Sequence, residues 1–367
     1  MAGIFYKIRT TAHALASPVW LFYGLPWLML LLVLGTVAQR YIGLYASQKL
    51  FFGSFILWAG PFPLPGAYSV LAFIAFSISA KLLLASPFSR QQLGVILTHT
   101  SALVLLLGGL ITALCREEGY VVLGEGESTH FVSDYHDRAL TVSRNGVELL
   151  ALSPEEMHVG DTVGVAPLPF TLSITRYCYP CMLVPRQFTK AVFKGLAKDV
   201  DITAKTPSSE ESQNQAAVLL GIRGAGAADG IYLASEMLKE QPDIAAGSDH
   251  YTFKIEPTRR ALPFSVKLQH FDKSDYPGTD MAKSYTSHVT INDNSAEWNA
   301  IIEMNQPLRY RGYTLYQSSF VENDGKLLSV LAVVNNAGAW FPYIAISMLC
   351  AGLLLHIVVT FIEKARR

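Results

Sequence analysis

Four long stretches of this chain contain no Asp, Glu, Lys or Arg: residues 10–39, 50–80, 91–115 and 327–362. A helix that crosses a bilayer needs ~20 apolar residues to span ~30 Å of hydrocarbon. The pattern therefore predicts an integral membrane protein with four transmembrane α-helices, at 19–38, 66–85, 93–114 and 340–362. The stretch 50–65 is apolar but carries Pro61, Pro63 and Pro65. It is too short and too Pro-rich for another crossing, so an interfacial segment with Trp58 at headgroup level is expected inside the 39–65 loop. A cleaved signal peptide is the rival reading of the first helix, with Lys7 and Arg9 as its basic start. The length of its apolar run argues against that.

The net charge is zero, with 29 basic and 29 acidic residues, but the signs are segregated. Between Arg116 and Lys326 there are 28 acidic and 20 basic residues, a net of −8. The remainder holds nine basic residues and Glu363, a net of +8. A nucleic-acid-binding or disordered chain needs an overall charge excess that is absent here. Basic residues in short segments face the cytoplasm. Lys7, Arg9, Lys81, Arg90, Lys364, Arg366 and Arg367 then lie inside, and the acidic stretch lies outside. The expected order is a tail at 1–18, the first helix, the outer loop 39–65, the second helix and a cytoplasmic loop at 86–92. The third helix, an outer domain at 115–339, the fourth helix and a tail at 363–367 follow. Both termini are then expected to be cytoplasmic.

Strand signals dominate the outer domain. Phe170–Thr175, Phe264–Leu268, Ser287–Ile291 and Tyr313–Tyr316 largely alternate apolar and polar residues, the period of a half-buried strand. Asn145-Gly146 reads as a hairpin turn, and Gly312 as another turn. The Ser-, Gln-, Ala- and Gly-rich run 204–230 reads as a loop or inter-lobe linker. Leu168-Pro-Phe and Leu262-Pro-Phe open two similar strand-like segments. A large, mostly β, β-sandwich-like domain or a pair of small sheets is expected.

Among candidate chemical groups, His99 stands first, because an ionisable residue inside a membrane helix is costly and a functional candidate by default. Its imidazole suits heme iron; a plain interhelical hydrogen bond is the alternative. His356, in the fourth helix, is a second and less certain candidate. Counting from the helix ends puts both ~9 Å deep, at one level. Cys178-Tyr-Pro-Cys181 is a C-x-x-C pair followed by Met182, so it is not a c-type heme attachment site. A structural disulfide and a redox pair both remain open. Cys115 and Cys350 read as small buried hydrophobes. His13, His130, His136, His158, His250, His270 and His288 read as solvated or turn residues, and Asp134, Asp137, Glu155 and Glu156 as solvated. No nucleotide-binding or hydrolase motif is present.

Asn305-Gln-Pro-Leu-Arg-Tyr-Arg-Gly-Tyr-Thr-Leu-Tyr-Gln-Ser-Ser-Phe320, with Ser284-Tyr-Thr-Ser-His-Val-Thr-Ile291 upstream, closely resembles ResB-type (CcsB-type) cytochrome c biogenesis proteins of system II. The layout of three helices, a large outer domain and a final helix is similar too. Asn335-Asn-Ala-Gly departs from the Asp-Pro-Gly-like turn expected before the last helix. The resemblance implies a subunit of a holocytochrome c synthase (heme lyase) complex. Its partner would be a CcsA/ResC-type WWD-domain membrane protein, its cargo heme b and its client apocytochrome c. A thioredoxin-like thiol reductant is a further possible partner. The resemblance also implies that His99 is a heme ligand. The five Trp include no adjacent pair, so the resemblance implies the ResB half alone, without a fused WWD segment, in a bacterial inner (plasma) membrane. A scaffold or apocytochrome chaperone without heme contact, or a thiol–disulfide protein using Cys178 and Cys181, are the alternatives.

Overall fold

The computed structural model describes residues 16–85, 89–160, 162–163, 168–187, 191–279, 281–293, 296–323 and 325–366. Most of the expected N-terminal tail, with His13, lies outside these residues. The chain divides into two compact units, Met1–Glu117 with Asn335–Arg367, and Glu118–Val334.

The first unit is helical. Its α-helices are α1 (Val19–Ile42), α2 (Ala67–Ala80), α3 (Leu93–Cys115) and α4 (Phe341–Arg366). Among the described residues, three helical segments, Val19–Ile42, Arg90–Cys115 and Phe341–Ala365, are long and apolar enough to cross a membrane. The remaining expected span is shorter: α2 has 14 residues and runs into a π-helical turn at Lys81–Ala85. The chain before it is spent on a hairpin, β1 (Ile56–Ala59) with β2 (Phe62–Pro65), and Gly66 caps the helix. Val70, Ile74 and Ile78 of α2, with Leu82, pack against Leu21 and Leu28 of α1 and Ile96, Leu103 and Leu106 of α3.

The second unit is almost entirely β. Its first strands are β3 (Glu117–Leu123), β4 (Ser128–Arg144), β5 (Val147–Leu152), β6 (Thr162–Val163), β7 (Thr171–Cys178), β8 (Cys181–Pro185), β9 (Val200–Ala204) and β10 (Ala217–Arg223). Then come β11 (Gly230–Ser235), β12 (Asp243–Ala246), β13 (Asp249–Asp275), β14 (Ala282–Asn292), β15 (Glu297–Glu303), β16 (Leu308–Tyr310), β17 (Tyr313–Asn323) and β18 (Lys326–Asn335). A ten-stranded sheet has the order β15-β14-β13-β4-β3-β18-β17-β16, with β12 on β13 and β5 on β4. A four-stranded sheet has the order β11-β10-β7-β6, and β8 pairs with β9.

Two cores result. In one, Leu172, Ile174, Val218, Leu220 and Ile222 of the smaller sheet pack on Leu140, Val142, Tyr251 and Phe253 of the larger. This is the expected sandwich of two sheets, with inward residues alternating along each strand. In the other, the large sheet rolls upon itself around Val121, Leu268, Ile291, Ile302, Leu315 and Leu331. Its two ends meet where the Trp298 and Tyr310 rings sit edge to face, 4.7 Å apart. The two Leu-Pro-Phe copies divide between the cores, Phe170 in one and Phe264 in the other.

Two expectations fail here. Residues 204–230 are not simply a loop, because Ala217–Arg223 is the buried central strand β10. Its apolar run Ala216-Ala-Val-Leu-Leu-Gly-Ile222 is short enough to be averaged away by its polar flanks. Asp134 is not solvated: it is 8% exposed. Its carboxylate accepts from the His136 and Asp137 amides and pairs with Arg260 at 2.7 Å.

Candidate functional site: the histidine of the third helix

Antiparallel packing of α3 and α4 sets the geometry. A Cβ on Gly352 would lie 2.8 Å from Thr98 Cγ2, and one on Gly94 would lie 2.7 Å from the Gly352 carbonyl oxygen. Gly108 meets Phe341, and Thr112 meets Gly338. The seam residues of α3 are thus Gly94, Thr98, Gly108 and Thr112, in steps close to the helical repeat. Small residues let two helix backbones approach closely in a membrane. At the Thr112 end of the seam, Thr112 Oγ1 donates to Asn336 Oδ1 at 3.1 Å, and that oxygen also accepts from Gly338 N at 2.8 Å. Asn336 thus fixes the entry to α4 where an Asp-Pro-Gly-like turn was expected.

His99 lies off this seam. It shares a face of α3 with Ile96 and Leu103, at i, i+3 and i+7, and these two pack against α2. The imidazole is half-buried. Its Nδ1 is 2.8 Å from the Val95 carbonyl oxygen. A carbonyl only accepts, so Nδ1 carries a proton, and in the neutral imidazole Nε2 then keeps its lone pair. A metal-ligating histidine is oriented by this kind of hydrogen bond.

His356 is placed differently. Its backbone packs against Gly94, and its side chain is exposed. His99 is level with Cys350 and Ala351 of α4, so the two histidines are offset by about five residues, or ~8 Å. They do not share a level. The Gly94–Gly352 contact sets the register, which counting from hydropathy boundaries cannot see. Glycines at 94, 108, 338 and 352 were the available signal in the sequence.

Cys178 and Cys181 are joined in a disulfide. They are 9% and 3% exposed, among Ala197, Ile202, Ala217, Leu219 and Leu233. Such surroundings disfavour a thiolate and suit an inert crosslink. Tyr179, between them, donates to Glu211 Oε1 at 3.0 Å, and the Arg138 guanidinium lies 5.3 Å from its ring centre. Burial pushes the Tyr179 phenol well above its usual range and the neighbouring Tyr177 up to about 12. Cys115 and Cys350 are exposed rather than buried, at the surface of the helical unit.

The histidines of the β unit mostly sit beside acids or aromatic rings. The His130 ring lies tilted against Phe131, His136 pairs with Glu211, His250 with Asp243, and His288 with Asp272. His270 pairs with Glu125 at 2.6 Å and Asp272 at 3.1 Å. Gln317, in the Tyr-Gln-Ser-Ser motif, is buried; the Ser287 hydroxyl donates to its Oε1 at 2.6 Å. Asp293 accepts from the Tyr310 hydroxyl and pairs with Arg311 at 2.8 Å. The motif therefore holds the second core together.

Residues 219–345 match the ResB-like family. The chain carries a ResB-like region. The resemblance to ResB-type cytochrome c biogenesis proteins, read from residues 284–320, is borne out. Protein NrfI of Wolinella succinogenes is 32% identical over 136 residues, which cover 34% of this chain and 14% of NrfI. The chain thus spans only a small part of that relative's length. The ResB-like region runs from β10 into α4 and does not include α3.

Proposed function

We propose that this protein handles heme during cytochrome c biogenesis, with His99 Nε2 as one axial ligand to heme carried as cargo. The observation that supports this is the Val95–His99 hydrogen bond, which leaves a ligating lone pair inside an uncharged helix. Neutral imidazole with an oriented Nδ1–H is the form that binds heme iron. The ~8 Å offset of His356 favours a histidine from a WWD-type partner as the second ligand. Apocytochrome c is the client in this reading, and attachment occurs outside the cytoplasm by the assembled pair. The burial of Cys178 and Cys181 weighs against the thiol–disulfide alternative.

The test is to purify the chain with its partner and record the heme absorption spectrum. His99→Ala is expected to lose most bound heme, and His99→Gly to regain the signal with added imidazole. His356→Ala is expected to keep it. Full heme retention in His99→Ala overturns the proposal.

A further inference from the structure

The β1–β2 hairpin is apolar on nearly every side. Phe55, Ile56, Trp58 and Phe62 are exposed, Trp58 at 63% and Phe62 at 69%. No charged residue occurs from 50 to 80. The hairpin is held firmly in place. Trp27 Nε1 donates to the Pro65 carbonyl at 2.9 Å, and Gly66 N and the Ser69 hydroxyl both donate to the Phe55 carbonyl. Leu57, on the one buried position of β1, clusters with Leu31 and Ala67.

Its height along α1 follows from these contacts. Gly24 meets Val70 and Ile74, Trp27 meets Pro65, Leu31 meets Leu57, and Gly35 meets Phe52. The base of the hairpin therefore lies opposite the middle of α1. Leu31 is 11 residues from Ile42, or ~16 Å. That is about half the thickness of a bilayer's hydrocarbon layer.

A strand edge at that depth leaves its outward N–H groups without water. The sequence of β2 removes them. In the register Ile56↔Pro65, Leu57↔Leu64, Trp58↔Pro63, Ala59↔Phe62, only Phe62 and Leu64 have N–H groups, and these are the ladder donors. Pro63 and Pro65 occupy the alternate, outward positions. The outer edge of β2 thus has no N–H to satisfy, which is how proline blunts an edge strand.

We infer that the 56–65 hairpin is a lipid-binding element, seated among the acyl chains rather than at the headgroups. Its partner is the hydrocarbon of the bilayer itself, continuous with the apolar surface of α1 and α2. The inference rests on reading α1 as a membrane span.

Site-directed spin labelling in lipid nanodiscs tests it. Trp58→Cys and Phe62→Cys are labelled in a Cys115→Ser, Cys350→Ser background, with Leu32→Cys as the α1 control and Val147→Cys as the aqueous control. Both hairpin labels are expected to collide with oxygen and to lose collisions with a water-soluble nickel chelate, as Leu32 does and Val147 does not. Nickel accessibility at 58 and 62 like that at 147 overturns the inference. So does shielding from both reagents, which would place protein, a second copy, over the hairpin. Nickel accessibility at Leu32 itself would instead overturn the span on which it rests.

Discussion

Gly94 of α3 faces the backbone of His356 in α4: a Cβ on Gly94 would lie 2.5 Å from the His356 amide nitrogen. The atoms in the way are main chain, so they cannot swing aside. Gly94→Val is expected to cost about 1–3 kcal/mol by overpacking. Thermal unfolding of the full chain in detergent checks this. The same variant should shift the His99 heme spectrum if the α3–α4 register positions that ring. An unchanged unfolding midpoint would contradict the close approach.

Arg138 of β4 and Glu236 form a well-shielded ion pair, at 2.6 Å with side chains 11% and 16% exposed. The other Glu236 oxygen accepts from Ala216 N at 2.7 Å. Removing one partner of such a pair strands the other charge. Arg138→Met should destabilise by about 3 kcal/mol. Adding Glu236→Gln should recover part of the loss, and the double-mutant cycle measures the coupling.

His270 gives a pH dependence with a definite sign. Its hydrogen bond to Glu125, helped by the charge of Asp272, raises its pKa above the usual 6.5. Its contribution is therefore fully present below that value and is lost as pH rises through the raised one. Glu125 is held below its usual 4.5, first by the Phe271 amide and then by His270. Its contribution is present above 4.5 and is lost as pH falls through the lowered value. Unfolding midpoints from about pH 5 to 8.5 should fall on the alkaline side in the wild type. His270→Gln should flatten that slope.

The disulfide prediction separates a crosslink from an exchanging pair. With Cys178 and Cys181 buried among aliphatic side chains, a mild dithiol should not reduce them while the protein is folded. Alkylation under native conditions should label Cys115 and Cys350 and spare this pair. Labelling of Cys178 before unfolding would restore the redox reading.

Much of the fold was legible where one local rule dominates. The Asn145-Gly146 and Arg311-Gly312 turns have φ values of 50° and 84°, and of 47° and 82°. Positive φ at both positions is what Asn-Gly announces. The uncharged runs each contain a helix, three of them long and apolar enough to cross a membrane among the described residues. What escaped was tertiary. Asp134 is polar by type, but Arg260 and two amides pay for its burial. The α3–α4 register depends on which glycine meets which backbone, and no hydropathy window carries that. His99 was singled out by the cost of its setting, while the Val95 carbonyl beside its Nδ1 needed coordinates.

Strand β13 runs 27 residues without a break. It supplies Tyr251, Phe253 and Ile255 to one core, and Leu262, Phe264, Val266, Leu268 and Phe271 to the other. Neither core can melt without pulling a shared rod out of its neighbour. The β unit is thus one cooperative folding block, and amides along β13 should exchange with solvent only through its global opening.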